Sequence, residues 1–202
     1  DGLRVTDGDT IRIVDEVLNG EVNEEVASFV SSYDCGVRRI PGKEVLSCTK
    51  LDSEPDLGLV GDIESVLSDP ILEALDEGLM PILSSTASDA DGQCYNVNAD
   101  TAAAQIAIAL KARRLVYLSD VPGLLKDPDD PSTLLSSLPV HQVEPLKEQR
   151  VIAKGMLPKV NSAVDALNGG VNRVHFIDGR LPHSILLEIF TDEGIGTEIV
   201  HN

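Results

Sequence analysis

Apolar residues along the chain follow two rhythms. Ile11, Ile13, Val14, Val17 and Leu18 recur at helical spacing behind a polar pair, which predicts a helix capped by Thr6 or Asp7 and ended by Gly20. A second helix is predicted over residues 22–32, leading to Cys35-Gly36. Short apolar runs at residues 37–40, 45–48 and 57–66 read as strands. A helix near 71–77 precedes another apolar strand at 79–83, and Asp89-Ala90-Asp91-Gly92 has the composition of a hairpin turn. The Ala-rich segment 101–110 is a strong helix former, followed by a buried strand at 115–118 and a Pro/Asp-rich loop at 126–131. Helices are predicted at 141–153, at 158–167 with a stop at Gly169-Gly170, and at 182–190. Strands at 173–177 and 197–200 complete the pattern. Strands that alternate with helices predict an α/β fold with a mainly parallel sheet.

The polar punctuation carries the candidate chemistry. Asn96-Val97-Asn98-Ala99-Asp100 runs straight into the Ala-rich helix. Asn98 is placed as its N-cap, and Asp100 falls in the first turn, where a carboxylate suits the helix dipole. On spacing alone, Asn96 and Asn98 read more readily as turn and cap residues than as ligand-binding ones. Ser119-Asp120-Val121-Pro122-Gly123 leaves the carboxyl end of a strand, where open α/β sheets place ligands. Gly155-Met156-Leu157-Pro158-Lys159 feeds a helix with Pro in its first turn. Lys159 then lies at an already positive helix end, which is unfavourable unless an anion lies there.

Composition narrows the choices. With 202 residues and 42% hydrophobic content, the chain can bury one sizeable core or two small ones. A net charge of −18 argues against a nucleic-acid partner, and an acidic surface explains it most simply. No apolar run reaches membrane-spanning length and no signal segment is visible, so no membrane partner is expected and a cytoplasmic setting is (plastid stroma if the source is a plant or alga). Cys35, Cys48 and Cys94 have neither metal nor redox spacing. The four histidines (His141, His175, His183, His201) lack ligand spacing, so no metal site is expected on protein groups alone. Gly36 to Glu44 fails as a phosphate loop: five residues separate its glycines, and Glu44 follows Lys43 where Ser or Thr is needed. There is no G-x-S-x-G and no H-E-x-x-H, so hydrolase chemistry has no foothold.

Five segments taken in order resemble the amino-acid kinase family. They are Gly2-Leu3-Arg4-Val5-Thr6, Tyr95 to Asp100, Leu118 to Gly123, Gly155 to Val160, and Phe190-Thr191-Asp192-Glu193-Gly194-Ile195-Gly196-Thr197. The resemblance is to the members that transfer the γ-phosphoryl of ATP, with Mg2+, to the side-chain carboxylate of N-acetyl-L-glutamate in arginine biosynthesis. It implies a three-layer sandwich with a mainly parallel central sheet, divided into a partial substrate-side lobe (1–95) and a nucleotide-side lobe (96–202) on one continuous sheet. It also implies that Arg4, Asn96 and Asn98 bind substrate, Arg4 by a bidentate grip on a carboxylate. Lys159 would neutralise the transferring phosphoryl, and Asp100 would orient the catalytic lysines. Ser119, Asp120, Val121, Gly123, Gly155 and Met156 would face the nucleotide. A carboxylate acceptor has no proton to lose, so positioning and charge neutralisation are the whole task.

Resemblance to arginine-inhibited members implies further that His175, Glu188 and Gly194 line a feedback site for arginine, and that the protein is a homo-oligomer. The family's first strand, its following lysine and its glycine-rich loop have no counterpart after Asp1, so these 202 residues alone are expected to be catalytically incomplete. Lys154 stands where relatives often carry glycine. Two other readings stay open: another amino-acid kinase, such as a glutamate 5-kinase or an aspartokinase, and a regulatory module that binds nucleotide, arginine or a partner protein.

Overall fold

The computed structural model describes residues 4–127, 129–152, 154–191 and 194–201, the side chain of Lys154 excepted. Gly2 and Leu3 of the first motif, Asp192 and Glu193 of the last, and Ala153 at the end of a predicted helix lie outside the described residues. The chain forms two compact units, Gly2–Leu110 and Lys111–Asn202.

In the first unit, α1 (Gly8–Asp15) is capped by Asp7, whose carboxylate accepts from the Thr10 N–H at 2.7 Å. The helix does not end at Gly20. It widens into a π-helical segment, Glu16–Val22, and continues as α2 (Asn23–Ser31). Two facts account for this. Gly20 lacks the positive φ of a helix-ending glycine. Arg39 on β1 (Val37–Ile40) also donates from Nη2 to the Asn19 and Gly20 carbonyls at 2.8 and 3.1 Å, and from Nε to Asn23 Oδ1 at 2.9 Å. The widened turn therefore keeps its acceptors satisfied.

The unit continues with β2 (Leu46–Lys50), β3 (Gly61–Val66), α3 (Asp69–Asp76), β4 (Met80–Leu83), β5 (Thr86–Ser88), β6 (Cys94–Asn96) and α4 (Ala99–Ala109). β1 and β4 pair in parallel, while a second sheet runs in the order β3-β2-β5-β6. The expected single continuous sheet is thus two ladders within this unit. Where β4 gives way to β5, Gly42 N–H and Lys43 N–H bond the hydroxyls of Ser84 (2.9 Å) and Thr86 (3.2 Å). Side chains there take donors that a continuous ladder would need. Leu46, Val45, Ile71, Ala87 and Ala102 are buried in the core beneath.

The second unit contains β7 (Arg114–Ser119), β8 (Ser137–Pro139), α5 (Val143–Glu148), α6 (Leu157–Asn168), β9 (Arg173–Asp178), α7 (Ser184–Phe190) and β10 (Thr197–Val200). Its sheet order is β7-β9-β10-β8, with β7–β9 and β10–β8 parallel and β9–β10 antiparallel. The sheets of the chain are parallel-rich within an α/β fold. α6 and α7 pack on β9, burying Val160, Ala163, Ala166, Val174, Phe176 and Ile177. The predicted helix at 141–153 shortens to α5, because Arg150 takes a left-handed conformation (φ 57°) that ends the turn. Strand β8 was not foreseen. The units divide at Leu110/Lys111, so α4 belongs to the first unit and the 95/96 lobe boundary falls inside it. Among the described residues no helix is long and apolar enough to cross a membrane.

Candidate substrate and nucleotide sites

In the first unit Thr6 is the hinge of the candidate substrate site. Its backbone pairs with Leu57 and Leu59 at 2.8 and 2.6 Å, which buries it. Its hydroxyl donates to the Arg4 carbonyl at 3.0 Å and accepts from Asn96 Nδ2 at 3.4 Å. Arg4 and Asn96, far apart in sequence, are thereby brought to one place, with the Arg4 side chain exposed. Asn96 is fixed by its pairing with Thr86 on β5 and by its N–H bond to the Leu59 carbonyl. The sequence reading missed Thr6 as a link, although it closes the first motif.

Asn98 caps α4: its Oδ1 accepts from the N–H groups of Asp100 and Thr101 at 2.9 and 3.0 Å. Asp100 sits in the first turn of α4, at the dipole's positive end.

In the second unit, Ser119 ends β7 beside Asp178, which ends β9. Gly179 N–H donates to the Ser119 carbonyl at 2.8 Å. Asp178 accepts from Arg180 N–H and Nε, each at 2.9 Å, and from Nη2 at 2.8 Å. These bonds hold its carboxyl down to about 2. Asp120 and Val121 follow in the loop that Gly123 closes. Gly123 has φ +147°, and a Cβ there would lie 2.5 Å from the Thr197 hydroxyl, so no other residue fits. That hydroxyl accepts from Leu124 N–H at 2.9 Å and ties the loop to β10.

Gly155 and Met156 form a 3-10 turn that leads into α6, with Pro158 and Lys159 in its first turn. Lys159 Nζ lies 6.0 Å from the centroid of the Tyr117 ring, which stacks on Phe176 at 5.3 Å. The ammonium is thus held over an aromatic face near the outer limit of a cation–π contact. Asp178, Arg180, Tyr117 and Thr197 are site-side residues that the sequence alone did not single out.

His175, Glu188 and Gly194 do meet, in a cavity of about 180 Å3 that Arg114, Arg173 and Glu198 also line. His175 Nδ1 lies 2.8 Å from Glu188 Oε1; a carboxylate can only accept, so Nδ1 carries the proton. Glu188 Oε2 accepts from Ile195 N–H and Gly196 N–H at 2.8 and 2.9 Å. Burial pushes the Glu188 carboxyl up, but these bonds outweigh it and hold the group below its ordinary value. Both Glu188 oxygens are therefore engaged within the protein. The His175 Nε2 is buried without a partner among the described residues.

Among the described residues no three His, Cys, Asp or Glu side chains converge as metal ligands. Asp120 is the acidic group of the 119–123 loop.

A β-strand's carboxyl end, a glycine-closed loop and a lysine at a helix N-terminus together suit a phosphate-bearing ligand. The chain belongs to the amino acid kinase family, whose model matches residues 1–178. More particularly, it is 44% identical to the acetylglutamate kinase of Clostridium kluyveri over 98% of this chain and 71% of that protein. It is also 44% identical to the acetylglutamate kinase of Syntrophomonas wolfei, over 99% of this chain and 70% of that one. Among solved structures, the N-acetylglutamate synthase of Neisseria gonorrhoeae, complexed with coenzyme A and N-acetyl-glutamate, superposes with a TM-score of 0.87 at 28% identity. That match covers all of this chain and 46% of the synthase.

Proposed function

We propose that the protein phosphorylates the side-chain carboxylate of N-acetyl-L-glutamate from ATP, as its 44% identical relatives are named for doing. The observation that carries this reading is the Thr6 link, which gathers Arg4 and Asn96 at one end of the first unit. The Arg4 fork grips the α-carboxylate of the acceptor, and the amide of Asn96 and the Nδ2 of Asn98 hydrogen-bond the acylamino portion. The first unit is on this reading the substrate side, and the second the nucleotide side. Ser119, Asp120, Val121 and Gly123, with Gly155 and Met156, hold the nucleotide. Mg2+ on the phosphates supplies charge neutralisation. Lys159 stabilises charge on the transferred phosphoryl. Asp100 has the role that the family resemblance gives it, orienting catalytic lysines by charge-assisted hydrogen bonds. The acceptor oxygen is already ionised at neutral pH, so no residue is assigned as a general base.

Two features support the rest of the reading. Exposed Ile13, Val22, Val26 and Phe29 along the helical run from α1 to α2 favour a homo-oligomer. The His175–Glu188–Gly194 cavity favours arginine as feedback ligand, with its guanidinium meeting the lone pair on His175 Nε2 instead of the engaged Glu188. The site of action is the cytoplasm or plastid stroma.

The test is ADP release by the full-length protein with N-acetyl-L-glutamate, L-glutamate or L-aspartate as acceptor. Turnover is expected with the acylated acceptor alone. Arg4→Lys should raise KM for it about tenfold while KM for ATP stays put, because a point charge loses the bidentate fork. Turnover of an unacylated amino acid would assign another kinase of the family. Nucleotide binding without turnover of any acceptor would favour a regulatory module.

A further inference from the structure

A second cavity of the Lys111–Asn202 unit, of about 420 Å3, is lined by Arg113, Arg114, Asn172, Arg173, Val200 and His201. None of the described residues that line it is acidic, in a chain whose 34 acidic residues outnumber its 16 lysines and arginines. Arg114 and Arg173 are register partners on neighbouring parallel strands, and Val200 is the partner of Arg173 on the next. Like charges placed opposite one another across strands repel. Glu198 relieves only one of them, through a 2.8 Å bond to Arg173 Nη1. Arg113 is exposed, and neither it nor Arg114 has an ion-pair partner among the described residues. The Arg114 Nε is buried with no hydrogen-bond partner there. A buried guanidinium nitrogen left unbonded is costly, so this arrangement calls for an acceptor. His201 donates from Nε2 to the Leu167 carbonyl at 2.9 Å, which fixes its ring beside the cavity.

We infer that this cavity binds a small molecule bearing two or more oxyanion groups, whether phosphates or carboxylates. Guanidinium forks present paired N–H donors to either group, and the cavity is of small-ligand size. It lies at the amino ends of β7 and β9, whereas the nucleotide loop leaves the carboxyl end of β7. The inference does not depend on the identity of the phosphoryl acceptor.

Calorimetric titration of pyrophosphate and of citrate at fixed ionic strength, against the full-length protein, tests it. Wild type should bind at least one of the two probes, and the tighter one identifies phosphate or carboxylate as the preferred group. Arg113→Ser, at an exposed position that folding does not need, and Arg114→Ser should each weaken binding about tenfold or more. Lys159→Ala should leave that binding unchanged. Failure of both probes to bind wild type overturns the proposal. So does binding that Lys159→Ala abolishes and Arg113→Ser spares, since that places the anion at the nucleotide loop.

Discussion

At the carboxyl ends of β7 and β9, Asp178 is clamped by its near neighbour Arg180, and the loop that follows Ser119 is pinned to Thr197. At the amino ends of the same strands, Arg114 faces Arg173, and Glu198 ion-pairs with Arg173 alone among the described residues. One sheet thus has an end where charge is locally balanced and an end where it is not. On the proposed reading, the balanced end receives a nucleotide that brings its own charge and its own cation. The unbalanced end carries positive groups whose partner the described residues only partly supply. This contrast separates a site built by short motifs from one built by strand register.

The largest test of the carboxyl end is Lys159→Ala. Removing an ammonium that stabilises charge in the transition state should cost on the order of 3 kcal/mol, about a hundredfold in kcat, with a smaller change in KM. Steady-state kinetics on the full-length protein measures both. An unchanged kcat would move the phosphoryl away from α6 and remove the functional half of the contrast.

Next in size is Glu188→Ala, which probes how the arginine-rich end is held together. The substitution strands His175 Nδ1 and the N–H groups of Ile195 and Gly196, all satisfied by one buried carboxylate. Losing it should lower the free energy of unfolding by about 2–4 kcal/mol. Urea titration at pH 7 measures this; a loss under about 0.5 kcal/mol, the size of an ordinary surface change, would mean that Glu188 is not a structural tie. Arginine titration of a folded Glu188→Gln variant then separates the tie from any ligand role.

These two residues also mark what the sequence could reveal. The place of Lys159 at a helix start was legible because its neighbours, Gly155 to Pro158, announce a turn and a helix start within a few residues. β1 and β10 were legible at their observed bounds because short apolar runs there are cut off by polar or turn residues. Gly20 misled because its helix-ending habit needs a positive φ, and Arg39, 19 residues on, satisfies the carbonyls instead. Glu188 was expected to line an arginine site, whereas its engagement by a loop seven and eight residues later is a tertiary fact. The link from Thr6, a possible cap and the end of the first motif, to Asn96 was not legible, because it spans 90 residues. The arginine cluster was invisible for a similar reason. Arg113-Arg114 reads as an ordinary polar approach to a strand, and only the β7–β9 register sets Arg173 against it.

The smallest effect concerns the balanced end and its dependence on pH. The Asp178 carboxyl is held down to about 2 by its bonds from Arg180, whereas an unfolded aspartate titrates near its ordinary value of about 4. A depressed folded value means that the stabilisation is fully present above pH ~4 and is lost as pH falls through about 2. Asp178→Asn should therefore be less stable than wild type at pH 7, and the gap should close between pH ~4 and ~2. The gap should be modest, because the Arg180 side chain is 66% exposed and solvent and salt screen the pair. Parallel urea midpoints of the two proteins across that range, at low and high salt, measure it. A gap that stays constant with pH would mean that the backbone bond from Arg180 N–H, and not the charge pair, is what Asp178 contributes. The end of β9 would then be a turn held by geometry, and its contrast with the arginine-rich end would rest on shape instead of charge.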